Sequence, residues 1–206
     1  MMSKVFADIS TSLDGFITGP DDSVAVGLGI NGERLHEWIY NLAGWRERHG
    51  LTGGTQNRNS QIVDEAVENT GAFVMGKRMF DHGLPHWGDN PPFHMPVFVL
   101  THEVREPLVK EGGTTFTFIN DGVESALRHA RAAAGDKDIS VIGGANIIQQ
   151  FMNANLLDEI QIHIVPILLG GGKRLFDHLN TGEITLGIDR VVESPDVTHI
   201  RYSITR

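Results

Sequence analysis

Residues 138–176, DISVIGGANIIQQFMNANLLDEIQIHIVPILLGGGKRLF, decide how the rest of the chain is read. The stretch opens on a short apolar run, Ile139, Val141 and Ile142, and is broken by Gly143-Gly144. It continues with Ile147, Ile148, Phe151 and Met152 at helical spacing. The pattern predicts a strand, a tight glycine turn and a helix. Two glycines let the backbone approach a bulky anion, and the free N–H groups of a helix starting near Ala145 point at whatever lies above them. A phosphate is the natural guest. A GG pair in this position can equally be a close-packing device, so the reading needs support from elsewhere. After the helix, Ile160, Ile162 and Ile164 alternate with Gln161, His163 and Val165, the period of a strand with one buried face. Gly170, Gly171 and Gly172 then turn the chain.

Upstream, Val5, Ala7 and Ile9 form a first strand that stops at Ser12-Leu13-Asp14-Gly15, a turn in which Gly15 tolerates positive φ. Asp8 lies inside this apolar strand, either on a solvated face or aimed into a pocket. Over 33–48, Leu35, Trp38, Ile39, Leu42 and Trp45 recur at helical spacing, which predicts an amphipathic helix with Glu33, Arg34, Glu37 and Arg46 outside. Its tryptophans read as core. Residues 50–60, GLTGGTQNRNS, read as an exposed loop. A helix comes next over Ile62, Val63, Ala66 and Val67, with Gly71 as its C-terminal cap.

A short buried strand, Ala72 to Met75, runs directly into Gly76-Lys77-Arg78. Cations at a helix start oppose the dipole, a cost that makes sense if an anion sits there; a solvated pair of charges is the plainer reading. Residues 81–96 carry the breakers Gly83, Pro85, Gly88, Pro91, Pro92 and Pro96 and are expected to be a long surface loop. That expectation also argues against zinc at His82 and His86, whose spacing would need a helix. Strands at 97–100 and 114–118, a helix around Val123, Ala126, Leu127 and Ala130, and an antiparallel hairpin at 184–192 and 197–204 complete the chain. The expected fold is an α/β three-layer sandwich around a mixed, mainly parallel sheet, in a single domain spanning 1–206.

With 206 residues and 40% hydrophobic content, the chain can bury one sizeable core. There is no cysteine, so thiolate chemistry and disulfides are excluded. Lys plus Arg number 17 against 26 Asp plus Glu, a net charge of −9, which makes nucleic acid and anionic membrane poor partners. The expected setting is cytoplasmic, with no metal. The run Gly170-Gly171-Gly172-Lys173-Arg174 lacks the Ser or Thr and the spacing of an ATP-binding P-loop.

In open α/β sheets ligands gather where strands end and helices begin. Gly76-Lys77-Arg78, Thr101-His102 and Ile142-Gly143-Gly144-Ala145 occupy three such ends. Their two helix starts, two cations and one hydroxyl suit a pyrophosphate and one further phosphate, the inventory of NADP, without the GxGxxG turn of a Rossmann domain.

Ser12-Leu13-Asp14-Gly15-Phe16-Ile17, Met75-Gly76-Lys77-Arg78, Val141-Ile142-Gly143-Gly144-Ala145, Leu157-Asp158-Glu159-Ile160, Pro166-Ile167-Leu168-Leu169-Gly170 and Leu175-Phe176 together resemble the dihydrofolate-reductase-like family that includes the C-terminal reductase domain of the bifunctional riboflavin-biosynthesis enzyme. The resemblance covers nearly the whole chain. It implies a dihydrofolate-reductase-like fold, NADPH as cofactor and a homodimer. Gly143, Gly144 and Ala145 would hold the pyrophosphate, with Ile142 beside them. Gly76, Lys77 and Arg78 would contact phosphates, including the ribose 2′-phosphate; Thr101 and His102 would line the adenosine side, and the turn reaching Ile17 would lie by the nicotinamide. The substrate half departs from the riboflavin pattern: Asp8 stands where those reductases carry Lys, and Ile142 where they carry an acid. Dihydrofolate reductases also have an apolar residue before GG, but their helix acid has no clean match, since Glu33 and Glu37 only flank its place.

The expectation is an NADPH-dependent reductase of a small heterocyclic or ribose-bearing substrate, closest to 5-amino-6-(5-phosphoribosylamino)uracil reductase, with Asp8 and Glu37 as candidate catalytic groups. A pterin reductase and a nucleotide-binding protein without turnover are the rivals.

Overall fold

The computed structural model describes residues 3–180, 182 and 184–205. Among these residues nine strands form one sheet. In chain order they are β1 (Val5–Ser12), β2 (Thr70–Gly76), β3 (Pro96–Leu100), β4 (Leu108–Val109), β5 (Thr115–Ile119), β6 (Asp138–Val141), β7 (Glu159–Val165), β8 (Thr185–Glu193) and β9 (Thr198–Thr205). Their order across the sheet is β4-β5-β3-β2-β6-β1-β7-β9-β8. The pairings from β5 through β7 are parallel, while β4 and the β8–β9 hairpin join antiparallel. The sheet is therefore mixed and mainly parallel, as the alternation of strands and helices required.

Among the described residues five α-helices cover it: α1 (Ala43–Arg48), α2 (Arg58–Asn69), α3 (Lys77–Trp87), α4 (Val123–Ala134) and α5 (Ala145–Asn153). On one face, Val5, Ala7, Ala72, Val74, Ile139, Val141, Ile160 and Ile162 pack against α4 and α5 through Ala126, Leu127, Ala130, Ile147, Ile148 and Phe151. On the other, Met75, Val97, Val99 and Phe116 meet Phe80 of α3, and farther along Leu35, Trp38 and Leu42 meet Val165 and Val197. Two helical layers thus sandwich the sheet.

Four expectations need correction. The helix over 33–48 is instead a 3₁₀ turn (Gly32–Leu35), further turns and the short α1. Bonds from His36, Ile39 and Leu42 each reach back three residues, so Leu35 and Trp38 still share a side without an α-helix. Residues 81–87 are helical, with Pro85 inside α3, because Phe80 and Trp87 bury that helix against Phe93 and Phe116. Gly71 caps nothing: it lies in β2, where a Cβ would strike the Ala134 carbonyl at 2.7 Å. The loop at 50–60 ends early, since Asn57 caps α2 by accepting from the Ser60 N–H at 3.1 Å, and Asn59 and Ser60 are buried.

Candidate active site

The carboxyl ends of β3, β2 and β6 lie side by side, so the three segments singled out in the sequence share one edge of the sheet. The Gly76 N–H donates to the Gly143 carbonyl at 2.9 Å, and the Ile142 N–H to Val74 at 3.0 Å. Gly143 has φ 114°, open to glycine and strained for other residues, and its peptide bond to Gly144 is cis. Gly144 caps α5 and, among the described residues, no side chain accepts from that helix's first N–H groups. The buried Ile17 closes over the turn, its Cδ1 4.0 Å from where a Cβ on Gly144 would stand. A bare backbone cradle with an apolar wall fits a pyrophosphate carrying a flat ring beside it.

The loop that brings Ile17 there is fastened to the second glycine run. The Asp14 carboxylate accepts from Leu169 at 3.1 Å and Gly170 at 2.8 Å, and the Ile17 N–H donates to Lys173. Arg174 lies over the Phe16 ring at 4.4 Å. A hydrogen bond from Ser12, helped by these two N–H groups, holds the Asp14 carboxyl down at about 2.

The cations beside Gly76 are committed within the chain. Lys77 pairs with Asp81 and Glu103, and Arg78 with Asp22 at 2.9 Å. The charge cost at the start of α3 is therefore offset by the protein's own carboxylates. Thr101 is buried, its hydroxyl accepting from the Glu103 N–H at 3.1 Å, and His102 is exposed beside it.

Against this edge opens a cavity of about 230 Å³ between the sheet and the α1–α2 layer. Asp8 and Ser10 of β1, Ile142, Ser140, His163, His36, Trp38 and Arg48 are among its lining residues. Asp8 is thus aimed into a pocket, with His163 Nε2 2.7 Å from its Oδ1. Glu37 is not brought there: it is exposed, because the turns that bury Trp38 send its neighbour to solvent. The Nδ1 of His36 is buried with no hydrogen-bond partner among the described residues, and burial pushes the imidazole down to about 4. Burial also lowers Arg48, whose guanidinium is 3.7 Å from Asp64, a loose pair. Alternation alone does not single out His163, because β7 reads as one-sided; in fact Gln161 and His163 are buried too. The signal available is two histidines on adjacent strands, His163 and His199, which pair in register. Among the described residues no group of three or more acidic or histidine side chains could hold a metal, and no helix is long and apolar enough to cross a membrane.

A family model described as the RibD C-terminal domain matches residues 3–199. The chain belongs to that family. Membership places it among riboflavin-pathway-like reductase domains. The chain is 27% identical to the uncharacterized protein YyaP of Bacillus subtilis over 183 residues, 84% of this chain and 80% of that one. Its fold is similar to that of a putative riboflavin biosynthesis protein from Shewanella sp. PV-4, with TM-score 0.69, 24% identity and coverage of 98% and 99%. It is also similar to dihydrofolate reductase from Enterococcus faecalis complexed with NADP(H), with TM-score 0.52, 13% identity and coverage of 98% and 97%. The fold is dihydrofolate-reductase-like.

Proposed function

We propose that this protein is an NADPH-dependent reductase of a small heterocyclic or ribose-bearing substrate bound in the cavity at Asp8. One observation carries the reading: Ile142 lines that cavity and directly precedes Gly143-Gly144, so the substrate pocket and the nucleotide cradle share a wall. The reduced nicotinamide would supply a hydride to a C=N or C=O carbon. The chain's own residues do the rest. Gly143, Gly144 and the start of α5 offer backbone donors to the pyrophosphate, and Gly76 and Thr101 border its path along the strand ends. Ile17 and Ile142 exclude water beside the ring. Asp8 hydrogen-bonds the substrate's reacting heteroatom and hands it a proton. Arg48 offers a half-buried cation to an anionic end of the substrate, which favours a phosphorylated or carboxylated molecule, as in the aminouracil reductase reading.

The test is binding of NADPH against NADH to the purified protein, then loss of reduced-nicotinamide absorbance with the phosphoribosylaminouracil of riboflavin synthesis and with dihydrofolate. Turnover is expected with one of them. Asp8→Asn is expected to cut kcat by about 10²–10⁴-fold while leaving NADPH affinity within about twofold. Unchanged kcat removes Asp8 from the mechanism, and binding of neither nucleotide overturns the cofactor site.

A further inference from the structure

Behind Asp8 runs a line of buried polar groups. His163 Nε2 is 2.7 Å from Asp8 Oδ1, His163 Nδ1 is 2.6 Å from His199 Nδ1, and His199 Nε2 is 3.0 Å from Asn59 Oδ1. His163, His199 and Asn59 are 3%, 1% and 2% exposed, so water does not complete their bonding. Trp38 walls the line, its ring 4.9 Å from His163 and 5.2 Å from His199, and donates from Nε1 to Ser10.

Each of the three bonds needs one hydrogen, and the acceptor at the far end fixes where the hydrogens go. An amide oxygen only accepts, so His199 must donate from Nε2. A neutral His199 then has a bare Nδ1, which calls for Nδ1–H on His163. At the near end, His163 Nε2 either carries a second hydrogen, making an imidazolium against the Asp8 carboxylate, or accepts from a protonated Asp8. Either way the line holds one proton more than an ionised carboxylate and two neutral imidazoles would. With that proton it is electrically neutral overall, as a buried site favours. Burial, reinforced by His163, pushes His199 down to about 4 and keeps it neutral. The extra proton therefore resides at the Asp8–His163 bond, the end that faces the cavity.

We propose that Asp8, His163, His199 and Asn59 form a proton store, in which the Asn59 oxygen, acting through two imidazoles, loads one exchangeable proton onto the Asp8–His163 bond for delivery to the substrate. The proposal rests on the reductase reading for its use. In that reaction the substrate carbon gains a hydride from the dihydronicotinamide, which is oxidised. The π pair of the C=N or C=O bond moves to the heteroatom, which takes the stored proton from Asp8. The store is left one proton short, with one negative charge, and refills from solvent between turnovers. Asp8 is the catalytic residue; His163, His199 and Asn59 position its proton. Of the other charges around the line, Arg190 of β8 pairs with Glu65 of α2 and Arg201 of β9 with Gln161 and Glu65, while Arg48 of α1, 3.7 Å from Asp64, also lines the cavity that Asp8 faces. His36, the remaining titratable neighbour on the cavity side, is neutral near pH 7.

Histidine side-chain NMR on the whole, nucleotide-free protein near neutral pH tests the store without reference to activity. The expected result is His199 hydrogen-bearing at Nε2 and His163 hydrogen-bearing at Nδ1. Asn59→Leu should move the His199 hydrogen to Nδ1 and lower the pH at which the store empties by about one unit. Asn59→Asp, nearly the same shape, should raise that pH by a similar amount. The basic limb of the kcat–pH profile should move with each variant, which loss of packing alone would not produce. A bare His199 Nε2 in the wild-type protein, or a store pH unmoved by both variants, overturns the proposal. If the protein neither binds nor oxidises NADPH, the reductase reading fails, and the NMR result still decides the store.

Discussion

At Gly76 and at Gly144 the chain makes the same move. A central parallel strand ends, a glycine caps a helix, and among the described residues no side chain accepts from the first N–H groups of that helix. The first residues of the two helices differ. After Gly76 come Lys77 and Arg78, held by Asp81, Glu103 and Asp22. After Gly144 come Ala145, Asn146 and Ile147, with no charge to attract or repel a ligand. The charged turn announces an anion in the sequence and meets it with carboxylates of its own. The uncharged turn offers backbone donors that no side chain claims among the described residues. Affinity for a pyrophosphate should therefore come from Gly143-Gly144, and the Gly76 turn should only adjust selectivity.

Breaking the bare turn should have the largest effect. Gly143→Val places a branched side chain at φ 114° and a Cβ 3.6 Å from Ile9 and 3.7 Å from Met79. Backbone strain at such a position costs about 1–3 kcal/mol, and nucleotide binding, followed by fluorescence, is expected to fall by roughly a hundredfold or more. Binding within a few-fold of wild type would remove the cradle.

Removing both cations at the other turn should do less. Lys77→Ala with Arg78→Ala breaks pairs at the surface, where each contributes about 0–1 kcal/mol to stability. If either cation meets the 2′-phosphate, NADPH is expected to weaken by about tenfold relative to NADH through the loss of one charge-assisted contact. Equal weakening of both nucleotides would mean that the cations serve only their internal carboxylates.

The smallest effect concerns the loop whose Ile17 covers Gly144. Asp14→Ala frees the clasp to Leu169 and Gly170, and a loss of about two- to fivefold in nucleotide affinity is expected from the looser loop. The carboxyl is held at about 2 against an ordinary 3.8. Between those two values the folded chain therefore binds fewer protons than the unfolded chain. The clasp's contribution is complete above the ordinary value and disappears as pH falls through about 2. Acid titration of the wild type and the Ala variant should converge below that pH; curves that stay apart would show that Asp14 acts by another route.

Much of the fold was legible because it rests on local rules. Val5, Ala7 and Ile9 alternate, Ile147, Ile148, Phe151 and Met152 recur at helical spacing, and both patterns became the elements they predict. Local rules failed where packing overruled them. Pro85 reads as a breaker, yet Phe80 and Trp87 bury enough aromatic surface to carry α3 past it. Leu35 and Trp38 read as α-helical, yet a three-residue turn gives the same stripe and leaves Glu37 on the outer side, where the amphipathic pattern had put it. The site was half legible for the same reason. Glycine turns are written in consecutive residues, whereas His163 and Asn59 look like polar positions on a strand face and in a loop.

The sequence by itself determined the order of the long strands and of α2, α4 and α5, the glycine turns at Gly76 and Gly143-Gly144, and a carboxylate at Asp8 on the first strand, because spacing and φ preference act within a few residues. Only the tertiary structure decided which counter-charges Lys77 and Arg78 meet, that Glu37 lies off the cavity, and that Asp8 ends a line through His163 and His199 to Asn59. Those partners stand 155, 36 and 140 residues apart, and sheet order, strand register and the seating of α2 bring them within hydrogen-bond reach.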